Sequence, residues 1–323
     1  MNGSEIRTRI EAFLLSLPYS RLQPENLYSP MHYTLGLEAK RVRPVMTALA
    51  YQYIADEMND RIMKTAAAVE MVHNFTLIHD DIMDNAPVRR NKPTVHEKWD
   101  TNVAILSGDA LFALSYPMLI HDFPLKAAEL VAFFTKVIVE VCEGQMEDME
   151  LAANSKAGIP EYIEMIRKKT AALIGGSLAL GAIAANAPQH ICEQLYKAGE
   201  YMGIGFQIQD DLLDVFAEQA KFGKQVGGDI IENKKTFLWL MAIEKSDKYR
   251  KEALLNWTQF SGDPAEKIVA VTQIYKDLNI PELTQLVIRD YYQKAKAMLD
   301  ELPNNNHKNE LIEYLNAVFL REK

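Results

Sequence analysis

Two copies of the pattern Asp-Asp-x-x-Asp, Asp80-Asp81-Ile82-Met83-Asp84 and Asp210-Asp211-Leu212-Leu213-Asp214, each close an apolar stretch with helical spacing. On a helix of about 3.6 residues per turn, the first and last carboxylates of each copy stand at i and i+4, and the middle and last at i and i+3. All three can lean toward one point. Like charges so placed repel, and burying them without a cation costs on the order of several kcal/mol. The partners that suit such oxygen donors are hard divalent cations, Mg2+ above all. A single copy on a helix is ordinarily a solvated acidic face, whereas two copies, each ending an apolar helix, point to a metal-bridged site.

Basic residues gather near both clusters. Arg89-Arg90 follows Asp84 by five residues, in a turn held between Pro87 and Pro93. Lys40-Arg41-Val42-Arg43-Pro44 opens an early helix, Lys168-Lys169-Thr170 interrupts an apolar one, and Lys224 and Lys234 bracket the Gly227-Gly228-Asp229 loop. Arginine binds phosphate oxygens in bidentate fashion and lysine supplies a mobile point charge, so carboxylates with this many bases imply a polyphosphate held with Mg2+. Taken singly, Arg89-Arg90 reads as a surface pair, His73 as a satisfied core histidine, Lys169 as a snorkelling side chain, and Phe75 and Thr76 as core. Spacing gives them more. His73, Leu77, Asp80 and Asp84 fall on one helix face, as do Gly203, Gln207, Asp210 and Asp214. If those helices face each other, six carboxylates line the mouth of one cavity.

The elements that must position these groups read as helices throughout. Helical periodicity dominates, no run of alternating β-branched residues stands out, and helices are expected over about 4–17, 40–58, 61–84, 101–121, 125–152, 160–186, 189–219, 233–245, 263–278, 282–301 and Glu310 to Leu320. Prolines and glycines mark the breaks, no long flexible linker intervenes, and no short period repeats, so a single all-α domain over residues 1–323 is expected. The chain has 323 residues, 48% of them hydrophobic, with 35 Lys+Arg against 44 Asp+Glu and a net charge of -9. That balance disfavours nucleic-acid binding and attraction to an anionic membrane, and requires cations to mediate any anionic ligand. Cys142 and Cys192 form neither a disulfide framework nor a zinc pattern, which fits a reducing cytoplasm. Met1 to Glu11 lacks the blocks of a signal peptide. The apolar tract Ala171 to Ala187, broken by Gly175, Gly176, Ser177, Gly181 and Asn186, falls short of the roughly 20 residues a bilayer span needs. No integral membrane segment is expected, and the small residues suit close helix packing.

With these residues in view, the chain closely resembles the trans-prenyltransferases, the short-chain isoprenyl diphosphate synthases that include farnesyl and geranylgeranyl diphosphate synthases. Motif detail covers about residues 35–240. It lies in Lys40-Arg41-Val42-Arg43-Pro44, Leu77-Ile78-His79-Asp80-Asp81-Ile82-Met83-Asp84, Arg89-Arg90-Asn91-Lys92-Pro93-Thr94, Gly108-Asp109, Lys169-Thr170, Gly205-Phe206-Gln207-Ile208-Gln209-Asp210-Asp211 and Gly223-Lys224-Gln225-Val226-Gly227-Gly228-Asp229. The resemblance implies a helical bundle around a deep central cavity, with three Mg2+ ions joining both aspartate clusters to an allylic diphosphate. Asp80 and Asp84 match the principal ligands of the first motif and Asp210 that of the second. Asp81, Asp211 and Asp214 match positions that support the ligands or reach the metal through water. Arg89, Lys169, Lys224 and Lys234 match residues that grip the same diphosphate. Lys40, Arg43, His73 and Arg90 match the pocket for isopentenyl diphosphate, which binds without metal.

The implied mechanism is ionisation, condensation and elimination, with the proton leaving to the released pyrophosphate. Thr170, Gln207 and the carbonyl of Lys169 match positions whose oxygens stabilise the allylic cation, and Gly223, Gly227 and Gly228 fit a loop that closes to exclude water. A homodimer is also implied. Two departures stand out: Glu38-Ala39 replaces a usual pair of glycines before Lys40, and Asn91 replaces a usual glycine after Arg90. Asparagine tolerates the left-handed conformation, so the second change is mild.

Bulky residues below Asp80 should form the floor that stops chain growth. An aromatic at Phe75 beside the small Thr76 resembles the geranylgeranyl-forming pattern, giving C20 as the expected main product and C15 as the competitor. On an ideal helix Phe75 is rotated about 140° from Asp80 and Thr76 only about 40°, so helix packing decides which one projects. Class I terpene cyclases, head-to-head coupling enzymes and peptide-modifying prenyltransferases fit less well, because the second diphosphate pocket is present and both metal motifs are DDxxD. An inactive regulatory subunit would have damaged aspartates or bases, and here every matching position remains.

Overall fold

The computed structural model describes residues 1–154, 157–217 and 227–319. Among these, helix is the rule. In chain order they are α1 (Gly3–Ser16), α2 (Glu25–Gly36), α3 (Val42–Ala55), α4 (Ile62–Met83), α5 (Val95–Lys98), α6 (Thr101–Ile120), α7 (Ala127–Ala153), α8 (Ile159–Ile166), α9 (Ala172–Ala184), α10 (Gln189–Phe216), α11 (Gly228–Ile231), α12 (Phe237–Lys245), α13 (Lys248–Thr258), α14 (Pro264–Asp277), α15 (Ile280–Asp300) and α16 (Lys308–Phe319). Between α8 and α9 the residues Arg167–Ala171 form a π-helical turn. The all-helical expectation holds, and the strand content is one hairpin, β1 (Val88–Arg89) paired antiparallel with β2 (Lys92–Pro93).

Four of these helices lie outside the expected ranges: the single-turn α5 and α11, and the longer α2 and α13. α2 carries Pro30 in its interior, which removes a backbone donor and ordinarily breaks a helix. It persists because Met31, Thr34 and Leu35 are buried on one face, and burial outweighs the lost bond. α13 buries only Leu254, so the sequence offers no apolar stripe to read. Its start is fixed instead by Asp247, whose carboxylate accepts the Arg250 N–H at the N-terminus. The expected helix over 233–245 begins later, at Phe237, because Asn233 takes a left-handed φ of 57°.

The described chain separates into two compact units. The first comprises Met1–Ile138, Leu173–Lys197 and the residues from Leu299 onward. Its most extensive packing is α4 against α6, where Ala104, Ser107, Leu111, Ser115 and Leu119 are buried. Glycine permits the approach of α9 to α3: a Cβ at Gly181 would lie 2.1 Å from the Thr47 carbonyl oxygen. α16 packs on α3, where the Tyr53 hydroxyl donates to the Pro303 carbonyl (2.8 Å) and Asn305 donates to the Tyr53 carbonyl (2.5 Å). By length and composition alone α6 could cross a membrane, but one of its sides is buried against α4, and Leu106 on another is 59% exposed.

The second unit comprises Val139–Ala172 and Ala198–Met298, as far as these are described. Its core gathers Tyr162, Ile166, Ile208, Leu212, Phe237, Leu238, Val271 and Tyr275. The C-terminal half of α10 joins α8, α12 and α14 in this core through these residues, and α15 joins it through Ile280 and Ile288, which fixes the helix that carries the second aspartate cluster.

Candidate active site

The first cluster ends α4. Asp84 is the C-cap, its N–H bonded to the Asp80 carbonyl at 2.9 Å, and it is exposed; Asp80 is partly buried. Asp81 is turned elsewhere. It is 4% exposed, and its Oδ1 accepts from Nε and Nη2 of Arg89, each at 2.7 Å. One residue of helix rotates a side chain by about 100°, so packing sends the middle carboxylate to the hairpin, away from the face that the outer two share. The expected convergence of all three therefore does not occur. The hairpin that supplies Arg89 turns through Arg90 and Asn91 at φ 53° and 59°. Two consecutive positive φ values are the requirement of a type I′ turn, and asparagine meets it in place of glycine.

On the same helix His73 joins a strongly basic cluster. Arg43 Nη1 stands 3.3 Å from His73 Nε2. Burial, then the positive charges of Arg43, Arg90, Arg89 and Arg41, holds His73 well below its ordinary pKa, so the ring is neutral and its Nε2 accepts from Arg43. Burial also lowers Arg43 to about 10, with Arg90 adding to the effect and Glu70 opposing it. Buried cations in this number are costly without an anion, and arginines suit phosphate oxygens by chemistry. Lys40, at the loop before α3, is exposed.

Deeper along α4, the Phe75 ring packs against His79 (4.8 Å between centroids) and Phe112 of α6 (5.3 Å), and Phe112 continues to Tyr116. Gly108 leaves room for the His79 ring, since a Cβ there would fall 2.5 Å from Nε2. The Thr76 hydroxyl folds back on its own helix and donates to the His73 carbonyl at 2.8 Å. Packing thus gives the bulk to Phe75.

The second cluster lies on α10. Asp210 is exposed and Asp214 partly buried, while Asp211 is 5% exposed. Asp211 accepts from the Tyr162 hydroxyl, the Phe237 N–H (3.2 Å) and the Gln207 amide (3.3 Å). Burial pushes its carboxyl up to about 7 against these donors. Asp214 receives the Asp229 N–H at 3.0 Å, and its own carbonyl receives the Gly227 N–H at 2.7 Å, so it anchors the start of α11. Lys234 lies 3.5 Å from Asp229. Lys224 and Gly223 lie outside the described residues.

The π turn presents Lys169 and Thr170. Thr170 Oγ1 donates to Gln207 Oε1 at 3.1 Å, so two of the expected cation-stabilising oxygens are in contact. Lys169 Nζ bonds Asp148 at 2.5 Å, and Lys168 pairs with Glu143 and Glu147. α7 comes so close that a Cβ on Gly144 would sit 2.2 Å from the Lys169 amide nitrogen. Gly144, Asp148 and Tyr162 escaped the sequence reading. The signal was present for one of them, since Glu143, Glu147 and Asp148 make an acidic face on a helix that must find bases.

Among the described residues, no group of three or more His, Cys, Asp or Glu side chains converges to hold a metal. The donor chemistry nonetheless fits Mg2+, which is commonly bound by one or two carboxylates plus substrate phosphates and water. Asp80 with Asp84, and Asp210 with Asp214, are the carboxylates of the two motifs less buried than Asp81 and Asp211.

The fold is the all-α isoprenoid synthase fold. The chain belongs to the polyprenyl synthetase family, which it matches over residues 24–278. It is similar to the short chain isoprenyl diphosphate synthase of Methanocaldococcus jannaschii, 41% identical over 254 residues, covering 78% of this chain and 77% of that one. The geranylgeranyl diphosphate synthase of Methanosarcina mazei is 34% identical over 312 residues, covering 95% and 92%. A crystal structure of a geranylgeranyl pyrophosphate synthase superposes with a TM-score of 0.94 at 36% identity, over 100% of both chains.

Proposed function

We propose that this chain condenses isopentenyl diphosphate with an allylic diphosphate by ionisation, condensation and elimination, giving mainly geranylgeranyl diphosphate with farnesyl diphosphate as the competing product. The observation that carries the reading is the basic cluster of Arg43, neutral His73 and Arg90, of which His73 shares its helix with the partly buried Asp80 and the exposed Asp84. A prenyl cyclase needs one diphosphate site; this chain has basic groups for a second that uses no aspartate.

In this reading Asp80, Asp84, Asp210 and Asp214 hold Mg2+, which when bound supplies Lewis-acid stabilisation of the departing diphosphate. Arg89, oriented by Asp81, and Lys169, oriented by Asp148, are bases suited to a departing diphosphate, as are Lys224 and Lys234. The oxygens of Thr170 and Gln207 face positive charge as it develops on the allylic carbon. Lys40, Arg43, His73 and Arg90 fix the second diphosphate so that its double bond attacks. The uncovered apolar side of α6, with Leu106 59% and Ile105 39% exposed, supports self-association as a homodimer.

Purified protein incubated with Mg2+, isopentenyl diphosphate and dimethylallyl, geranyl or farnesyl diphosphate is expected to release pyrophosphate and form longer prenyl diphosphates. Chelation by EDTA is expected to reduce elongation to background. No elongation with any primer would reject the proposal. For Phe75→Ala, removal of the ring that packs on Phe112 is expected to shift the product longer by at least one five-carbon unit, read by chromatography of the dephosphorylated alcohols. An unchanged distribution would remove Phe75 from the floor.

A further inference from the structure

Arg41 and Arg43 are two residues apart and turn to different tasks. Arg43 lies beside His73 in the basic pocket. Arg41 is 5% exposed; its Nη1 bonds Glu70 Oε1 at 2.5 Å, and its Nη2 bonds the carbonyls of Leu35 and Leu37. Glu70 is 1% exposed, sits on α4 one turn before His73, and also accepts the Asn74 amide at 3.1 Å. The Arg41 backbone takes a left-handed φ of 51° directly before α3. This is where the loop turns, which explains how Glu38-Ala39 can stand in place of glycines: the strained residue comes later and is held by its own side chain.

Both features are expensive. A left-handed conformation for a non-glycine residue costs on the order of 1 kcal/mol, and a buried ion pair is often no more stabilising than apolar residues of the same volume. Stability alone therefore does not account for them. What they join does: the loop carrying Lys40, the start of α3 carrying Arg43, and the helix carrying His73.

We propose that the Arg41–Glu70 pair is the positioning device of the metal-free diphosphate pocket, locking the turn between Lys40 and Arg43 and fastening it to α4 within one turn of His73. The inference rests on the proposed assignment of that pocket to isopentenyl diphosphate. Glu70 also opposes the lowering of both Arg43 and Arg90, so a rival role exists in which it serves only as a counter-ion for the pocket. The two roles give opposite signs. Removing a mere counter-ion makes the pocket more positive and tightens anion binding, whereas removing a positioning contact loosens it.

The test is calorimetric titration of the full-length protein with isopentenyl diphosphate in EDTA, which reads binding without turnover. Glu70→Gln keeps the shape and loses the charge; its Kd is expected to rise at least about tenfold. A Kd that falls, or one within twofold of wild type, overturns the proposal. The double variant Arg41→Met/Glu70→Leu replaces the ions with apolar volume and is expected to recover the unfolding temperature while its Kd stays at least about tenfold high. A double variant with wild-type Kd shows that the pair only supports the fold, and this too overturns the proposal. Elongation by the wild type is scored separately: absent elongation with the variant pattern intact counts against the proposed reaction and not against the pair. A wild type that does not bind isopentenyl diphosphate overturns both.

Discussion

Asp84→Asn is expected to lower kcat for elongation roughly 10²–10³-fold, about 3–4 kcal/mol of transition-state stabilisation, while slightly raising the unfolding temperature. The loss follows from its proposed place as a metal-bearing carboxylate for the departing diphosphate. The gain follows from its position. Asp84 caps the C-terminus of α4, where the helix dipole is negative and a carboxylate is unfavourable by about 0.3–1 kcal/mol; asparagine removes the charge and tolerates the site. Asp81→Asn should behave differently although it is in the same motif. It breaks a largely buried pair with Arg89, so both kcat and stability fall, the latter by about 1–3 kcal/mol after allowing for the one-third exposure of Arg89. Differential scanning calorimetry beside steady-state kinetics separates the two variants. If Asp84→Asn destabilises the protein and leaves kcat intact, the division of the motif into outer and middle aspartates is mistaken.

Gly144→Ala is expected to cut catalysis sharply through a single added methyl group. Its Cβ would fall 2.2 Å from the Lys169 nitrogen and 2.7 Å from Lys169 Cα, and both are backbone atoms that cannot swing aside. The π turn must shift. Overpacking of this kind costs about 1–3 kcal/mol, and the displaced groups are those proposed to bond the leaving group and the cation. The turn is itself an expensive arrangement of a type often found at functional sites, and it is tied down by Lys168 to Glu143 and Glu147 and by Lys169 to Asp148. A kcat fall of roughly 10²-fold is expected with little change in KM for isopentenyl diphosphate, whose proposed residues lie on α3, α4 and the hairpin. A variant with normal kcat and normal thermal stability would mean that the turn relaxes freely.

The sequence made the helices with strong apolar stripes legible, and with them the two aspartate clusters and most of the bases around them. It was less informative where the decisive interaction is not periodic. α2 is hidden by Pro30, and α13 by having one buried residue, Leu254. The Lys40-to-Pro44 run reads as a single basic group, and only the fold shows that Arg41 turns inward to Glu70 while Arg43 turns to His73. Helix arithmetic allowed all three carboxylates of each motif to converge; competition from Arg89 for Asp81, and from Tyr162 and Phe237 for Asp211, decided otherwise. Spacing along α4 likewise cannot reveal that Phe112 of α6 packs on the Phe75 ring.

The first compact unit is assembled from the opening 138 residues, a middle segment and the last helix, α16, which covers α3. On the ribosome this order imposes a delay. Synthesis runs at about 5–20 residues per second, so the surface of α3 that α16 will occupy stays bare for on the order of ten seconds or more. During that interval Tyr53 has neither Pro303 nor Asn305 to meet. Closure of that surface therefore waits for the emergence of α16 and not for the completion of any earlier helix.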